Sequence, residues 1–105
     1  MRRRTTHHVG RRQGHTAFMS PEQVEGRQTS PASDIFSWGS TMYFAATGRP
    51  AFDGPSVWAV ENQIINSHPD LRMVPPPLRE LVQQAMLKPS HERPTASQLF
   101  LLLSR

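Results

Sequence analysis

Between Ile35 and Ala46, the apolar residues Ile35, Phe36, Trp38, Met42, Tyr43, Phe44, Ala45 and Ala46 cover much of a helical circumference. A helix that is apolar nearly all round is a buried helix, so this segment is the expected centre of the core. Helix-start signals lie just before it in Ser30-Pro31-Ala32-Ser33-Asp34, and Gly48 followed by Pro50 ends it near Thr47. At about 1.5–3 kcal/mol for each large side chain buried, this helix (roughly 33–47) dominates what the chain gains on folding.

The flanking segments read as shorter helices. Ser20 is an N-cap with Pro21 at the first helical position, acids in the first turn and Gly26 as the stop. Asp53-Gly54-Pro55 is a turn, and Val57, Val60 and Ile64 form one stripe of a helix from Ser56 to about Ser67. A proline-rich loop spans Asp70 to Pro77. Leu78, Leu81, Val82, Ala85 and Met86 then follow the spacing of an amphipathic helix, broken at Lys88-Pro89-Ser90. Thr95 caps a last helix through Leu99, Phe100, Leu102 and Leu103. No segment alternates like a strand. The expected class is all-α, about five helices around a central apolar one.

A chain of 105 residues with ten prolines is one domain at most, with a modest core. It holds no run near the ~20 apolar residues that cross a bilayer, and the basic start is followed by polar residues rather than a secretory apolar stretch. There is no cysteine, which removes disulfides, thiolate nucleophiles and cysteine-ligated metals together. His7 and His8 are adjacent while His15, His68 and His91 are scattered, which is not metal-ligand spacing. The expected location is the cytoplasm.

Twelve basic residues against eight acidic ones give a net charge of +4, yet Arg2, Arg3, Arg4, Arg11 and Arg12 all lie in the first twelve residues. The remainder carries seven basic and eight acidic groups, so the basic character belongs to an N-terminal tail. No aromatic is interleaved with these arginines, so the tail (1–13) reads as a flexible, disordered, solvated end rather than a nucleic-acid surface.

The order of four short motifs is more specific than any propensity. Ala17-Phe18-Met19-Ser20-Pro21-Glu22 resembles the end of a protein-kinase activation segment. Ser33-Asp34-Ile35-Phe36-Ser37-Trp38-Gly39 resembles the start of the central helix of the kinase C-lobe. Thr47-Gly48-Arg49-Pro50-Ala51-Phe52 is similar to the Thr-Gly-x-x-Pro-Phe that closes that region, and His91-Glu92-Arg93-Pro94-Thr95 to the Arg-Pro-Thr before the last kinase helix. Together they make residues 14–105 resemble part of a serine/threonine protein-kinase C-lobe, in the style of bacterial kinases of eukaryotic type.

That resemblance implies several roles. Glu22 pairs with Arg93 in a structural clamp, a carboxylate held through two parallel hydrogen bonds. Asp34, by itself an N-cap or first-turn carboxylate, matches the family acid that accepts backbone hydrogen bonds from the catalytic loop. With no such loop in the sequence, only the capping role is expected of it. Gly14, His15, Thr16, Ala17, Phe18 and Met19 correspond to the substrate-facing loop, where relatives usually read Gly-Thr-Pro or Gly-Ser-Pro. His15 in the hydroxyl position implies relaxed substrate selection or a damaged reading frame. The tail falls where an activation loop runs, which makes Thr5 and Thr6 candidate phosphorylation sites.

Complete members transfer the γ-phosphate of ATP to protein Ser/Thr, using Mg2+. That chemistry needs a glycine-rich phosphate cover, a nucleotide-binding lysine, magnesium ligands and a catalytic aspartate. This sequence has no Gly-x-Gly-x-x-Gly, no His-Arg-Asp and no Asp-Phe-Gly, and its single lysine, Lys88, lies in a late helix breaker. No residue is therefore assigned to catalysis, cofactor or metal, and the expectation is a truncated kinase domain, inactive alone. A non-catalytic module that docks a protein substrate or partner, with Trp58 exposed, is the alternative, and a nucleic-acid-binding tail the second. The central helix, bare where absent kinase elements would lie, predicts marginal stability.

Overall fold

The computed structural model describes residues 15–105. Gly14, the tail, Thr5 and Thr6 lie outside the described residues. Five helices lie wholly within the described residues: α1 (Pro21–Val24), α2 (Pro31–Thr47), α3 (Val57–Asn66), α4 (Pro76–Ala85) and α5 (Ala96–Leu103), with 3-10 turns at Leu71–Met73 and Ser90–Glu92. Among the described residues there is no strand.

Local chemistry sets the helix ends. Ser20, Ser30 and Thr95 each close a reciprocal capping box, with Gln23, Ser33 and Gln98 respectively, and Ser56 caps α3 by accepting from the Ala59 N–H. Prolines occupy first-turn positions of α1, α2 and α4. Gly48, at φ +76°, ends α2 in the left-handed region that a side chain disfavours.

α2 packs against α4, and α1 against α3. The larger core cluster gathers Phe36 and Tyr43 of α2 with Phe52, Val60, Ile64, Val74, Val82 and Met86, while Ile35, Leu81, Ala85 and Leu99 form a second one. The amphipathic spacing of α4 and the stripe on α3 thus describe their buried faces. α4 ends at Ala85, before the expected break, because Met86 already leaves helical geometry as its C-cap.

The sequence expectation for α2 needs correction. It is buried on one face, and that face is largely small or polar: Ser33, Gly39 and Ser40 are buried beside Ile35, Phe36 and Tyr43. Trp38 and Met42 are half-buried, Ala45 is exposed, and Phe44 is 44% exposed. The described elements pack onto the face that allows close approach and leave large apolar groups on the other side bare. α5 likewise buries Leu99 but exposes Phe100, Leu101 and Leu103.

Gly39 marks where α2 and α4 come closest. A Cβ built there would lie 2.7 Å from Met86 Cγ and 3.0 Å from Ala85 Cβ. The helix-propensity gain of alanine over glycine, about 1 kcal/mol, cannot offset pushing two packed helices apart. Gly39→Ala is expected to lower the urea midpoint by an amount equivalent to ~1–2 kcal/mol; an unchanged or raised midpoint would show that α4 yields freely.

Candidate functional site

α1 is one turn long and cannot hold itself by helix energetics. What fixes it is Glu22, 4% exposed, whose carboxylate meets Arg93 from seventy-one positions later. Arg93 Nη1 donates to Glu22 Oε2 at 2.8 Å and Nη2 to Oε1 at 2.9 Å, a bidentate pair with the guanidinium side chain fully buried. Nη1 also donates to the Ala32 carbonyl at 2.9 Å, Nη2 to that of Lys88 at 2.9 Å, and Nε to that of Leu87 at 2.7 Å. All five donors of the guanidinium are used. Ser33 Oγ donates to Glu22 Oε2 at 2.6 Å. The ring of Phe36 lies against the guanidinium, 5.0 Å from its carbon to the ring centroid.

Burial alone would raise the Glu22 pKa. The hydrogen bonds from Arg93 and Ser33, the residue's own backbone N–H and the guanidinium charge outweigh it and hold the carboxyl down to about 2.

Beside the clamp lies the loop of residues 15–19. Thr16 and Ala17 are buried, Phe18 and Met19 half-buried, His15 exposed. Ser37 Oγ of α2 donates to the Phe18 carbonyl at 2.7 Å and Ser40 Oγ to the Ala17 carbonyl at 3.3 Å. The Phe18 ring meets Phe44 edge-to-face at 6.0 Å. Ser33, Ser37, Ser40 and Phe44 share one side of α2 by helical spacing, so one helix face carries Glu22's second partner and the loop's anchors.

Asp34 takes the first-turn position of α2, one of the two places expected of it, and leaves the cap itself to Ser30. Ser30 is the N-cap of α2, and Asp34 stands exposed in the first turn with no hydrogen bond or ion pair among the described residues. It borders an apolar hollow of about 370 Å³, shared with Ile35, His91 and Ala96. The structure therefore brings Glu22, Arg93 and residues 15–19 together and leaves Asp34 apart. Sequence reasoning gave Ser37 and Ser40 no role, and Ser33 only a place among the helix-start signals. Their 3.6-period recurrence inside an apolar helix is the signal that could have found them.

Nucleotide and magnesium do not fit these residues. The only amine of a lysine, on Lys88, is buried between Phe36 and Phe52, and no three His, Asp or Glu side chains converge among the described residues. No catalytic step is derived through either group.

Comparison with known proteins places this geometry. Residues 2–101 match the protein kinase domain family, and the chain belongs to that family. It is 43% identical over 91 residues to a protein of Thermomonospora curvata named "Probable serine/threonine-protein kinase PkwA", and 39% identical over 87 residues to the serine/threonine-protein kinase AfsK of Streptomyces coelicolor. These alignments cover 87% and 82% of this chain but only 12% and 11% of the two relatives. The twitchin kinase region of C. elegans superposes with a TM-score of 0.73 over 87% of this chain and 16% of its own, at 19% identity, which shows the fold. The helical architecture is that of a kinase C-lobe fragment. No helix among the described residues is long and apolar enough to cross a membrane.

Because the Glu22 pKa is depressed on folding, its contribution to stability is present above pH 4.5 and is lost as pH falls from there towards 2. At 1.36 kcal/mol per pKa unit this is at most about 3 kcal/mol. Asp70, exposed beside Arg72 and also held down by its hydrogen bonds, shares that acid limb. Glu22→Gln separates the two: it should strand the buried guanidinium, cost about 3–5 kcal/mol at neutral pH and flatten the acid limb. Urea unfolding of both proteins between pH 3 and 7 reads this; an equally steep acid limb in the variant would contradict it.

Proposed function

We propose that this chain is the part of a serine/threonine kinase C-lobe that frames the protein substrate, and that it is catalytically inactive alone. The parent reaction is transfer of the ATP γ-phosphate to a protein Ser/Thr hydroxyl. The observation that carries the reading is the Glu22–Arg93 clamp, which ties α1 to the entrances of α2 and α5, beside the residue 15–19 segment that Ser37 and Ser40 hold. These groups position; none can bind phosphate or abstract a proton where the loop runs. Asp34 supports the same reading: its carboxylate is exposed and unpaired beside an apolar hollow, where a backbone segment from outside these residues would find an acceptor. Phosphoryl transfer then needs a glycine-rich loop, a nucleotide lysine and catalytic acids that these 105 residues do not hold.

Calorimetric titration of the chain with ATP and Mg2+ tests this. No heat of binding is expected up to millimolar ligand, and no phosphate should reach a general Ser/Thr substrate protein. Binding at millimolar affinity or tighter that survives removal of the tail would overturn the reading.

A second reading is favoured by Trp58. It stands 74% exposed on α3, a helix held from behind by Val60 and Ile64. An indole so placed is an anchor for a protein partner rather than part of the core. If α3 docks the protein substrate, Trp58→Ala should weaken capture of that substrate by the assembled kinase domain at least tenfold in KM, with kcat and the thermal midpoint unchanged. A fall in kcat alone would remove the docking role.

A further inference from the structure

Lys88, the only lysine of the chain, lies between α4 and the Ser90–Glu92 turn. Its Nζ is buried and has no hydrogen-bond partner. It sits 4.5 Å from the centroid of Phe52 and 5.7 Å from that of Phe36, and these rings lie nearly parallel, 8° apart, with centroids separated by 6.3 Å. An ammonium carries three donors, and ring faces offer it attraction but no lone pair. A buried polar group left in that state calls for an explanation.

The groups around it do not supply one. α2 presents Phe36 and the segment before α3 presents Phe52, both uncharged. The stretch before α5 presents the Arg93 guanidinium, a like charge over the same Phe36 ring. Glu22 of α1 is engaged by Arg93 and Ser33, and Lys88 forms no ion pair among the described residues. The backbone of the same segment belongs to the clamp, since Arg93 holds the carbonyls of Leu87 and Lys88. The segment that carries the buried amine is thus the one whose carbonyls anchor the guanidinium.

We propose that Lys88 is a proton-operated latch on the α4–α5 connection: releasing its ammonium proton to solvent leaves a neutral amine against the Phe36 and Phe52 rings and tightens the clamp, and taking the proton up loosens it. Burial, and secondarily the Arg93 charge, lower the Lys88 pKa from 10.5 to about 8. The folded chain therefore sheds this proton before the unfolded chain does. The penalty of the buried charge is complete below pH 8 and disappears as pH rises from 8 to 10.5.

A single lysine gives a single side-chain signal, so lysine labelled with 13C and 15N reads the latch directly in the full chain. Trimethylamine N-oxide is added to favour the folded state, with helicity followed by circular dichroism in the same samples. The expected midpoint is near pH 8, an acid about 300-fold stronger than ordinary lysine, returning to near 10.5 in urea. Lys88→Met keeps the apolar stem and removes the charge; its urea midpoint at pH 7 should exceed that of the parent, and the advantage should shrink between pH 8 and 10.5. A midpoint at or above 10 in helical protein, or a Met variant less stable than the parent at pH 7, overturns the proposal.

Discussion

One guanidinium organises this structure. Arg93 spends its five donors on one carboxylate and three carbonyls, and those acceptors belong to α1, to the first turn of α2 and to the exit of α4. A lysine has three donors and no planar fork, and could not satisfy this set. Buried ion pairs are often no more stabilising than apolar replacements, because desolvation consumes most of the attraction. Here the pair closes backbone hydrogen-bonding deficits at the ends of short elements as well, which an apolar replacement would leave open. The clamp therefore gives specificity of arrangement, which matters most in a chain whose apolar content is low.

From the clamp follows the unusual face of α2. Ser33 must be small to reach Glu22, and Gly39 small to let α4 approach. Ser37 and Ser40 must carry hydroxyls to hold the carbonyls of residues 17 and 18. Burial on this helix is decided by reach and hydrogen bonding more than by hydrophobicity. Ile35, Phe36 and Tyr43 are buried with the serines, while Phe44 is left towards solvent and the loop of residues 15–19.

This explains which features could be read from sequence. Helix positions and caps were legible because Ser20, Ser56, Thr95 and the first-turn prolines act on backbone groups two or three residues away. The Glu22–Arg93 pair was legible only through the resemblance of its motifs, since nothing local links positions seventy-one residues apart. Asp34 was legible as a helix-start acid, but its sequence neighbourhood left N-cap and first turn open; Ser30 and Ser33 close the box, and Asp34 takes the first turn. The surroundings of Lys88 were not legible at all: two rings from separate segments make them, and only the fold stacks those rings.

The same reasoning separates positioning from chemistry. Ser37 and Ser40 hold the carbonyls of Phe18 and Ala17, so this stretch of backbone is fixed from α2, and the Phe18 ring packs on Phe44. Thr16 and Ala17 are buried as supports, and His15 alone stands exposed at the loop's near end. The backbone at residues 17 and 18 cannot shift without breaking the serine contacts of α2. Phosphoryl transfer demands opposite charge and a proton acceptor at the reacting oxygen, a different task from the positioning these contacts perform. The clamp holds α1 against α2 and the exit of α4, and its cost is a buried cation that must keep every partner.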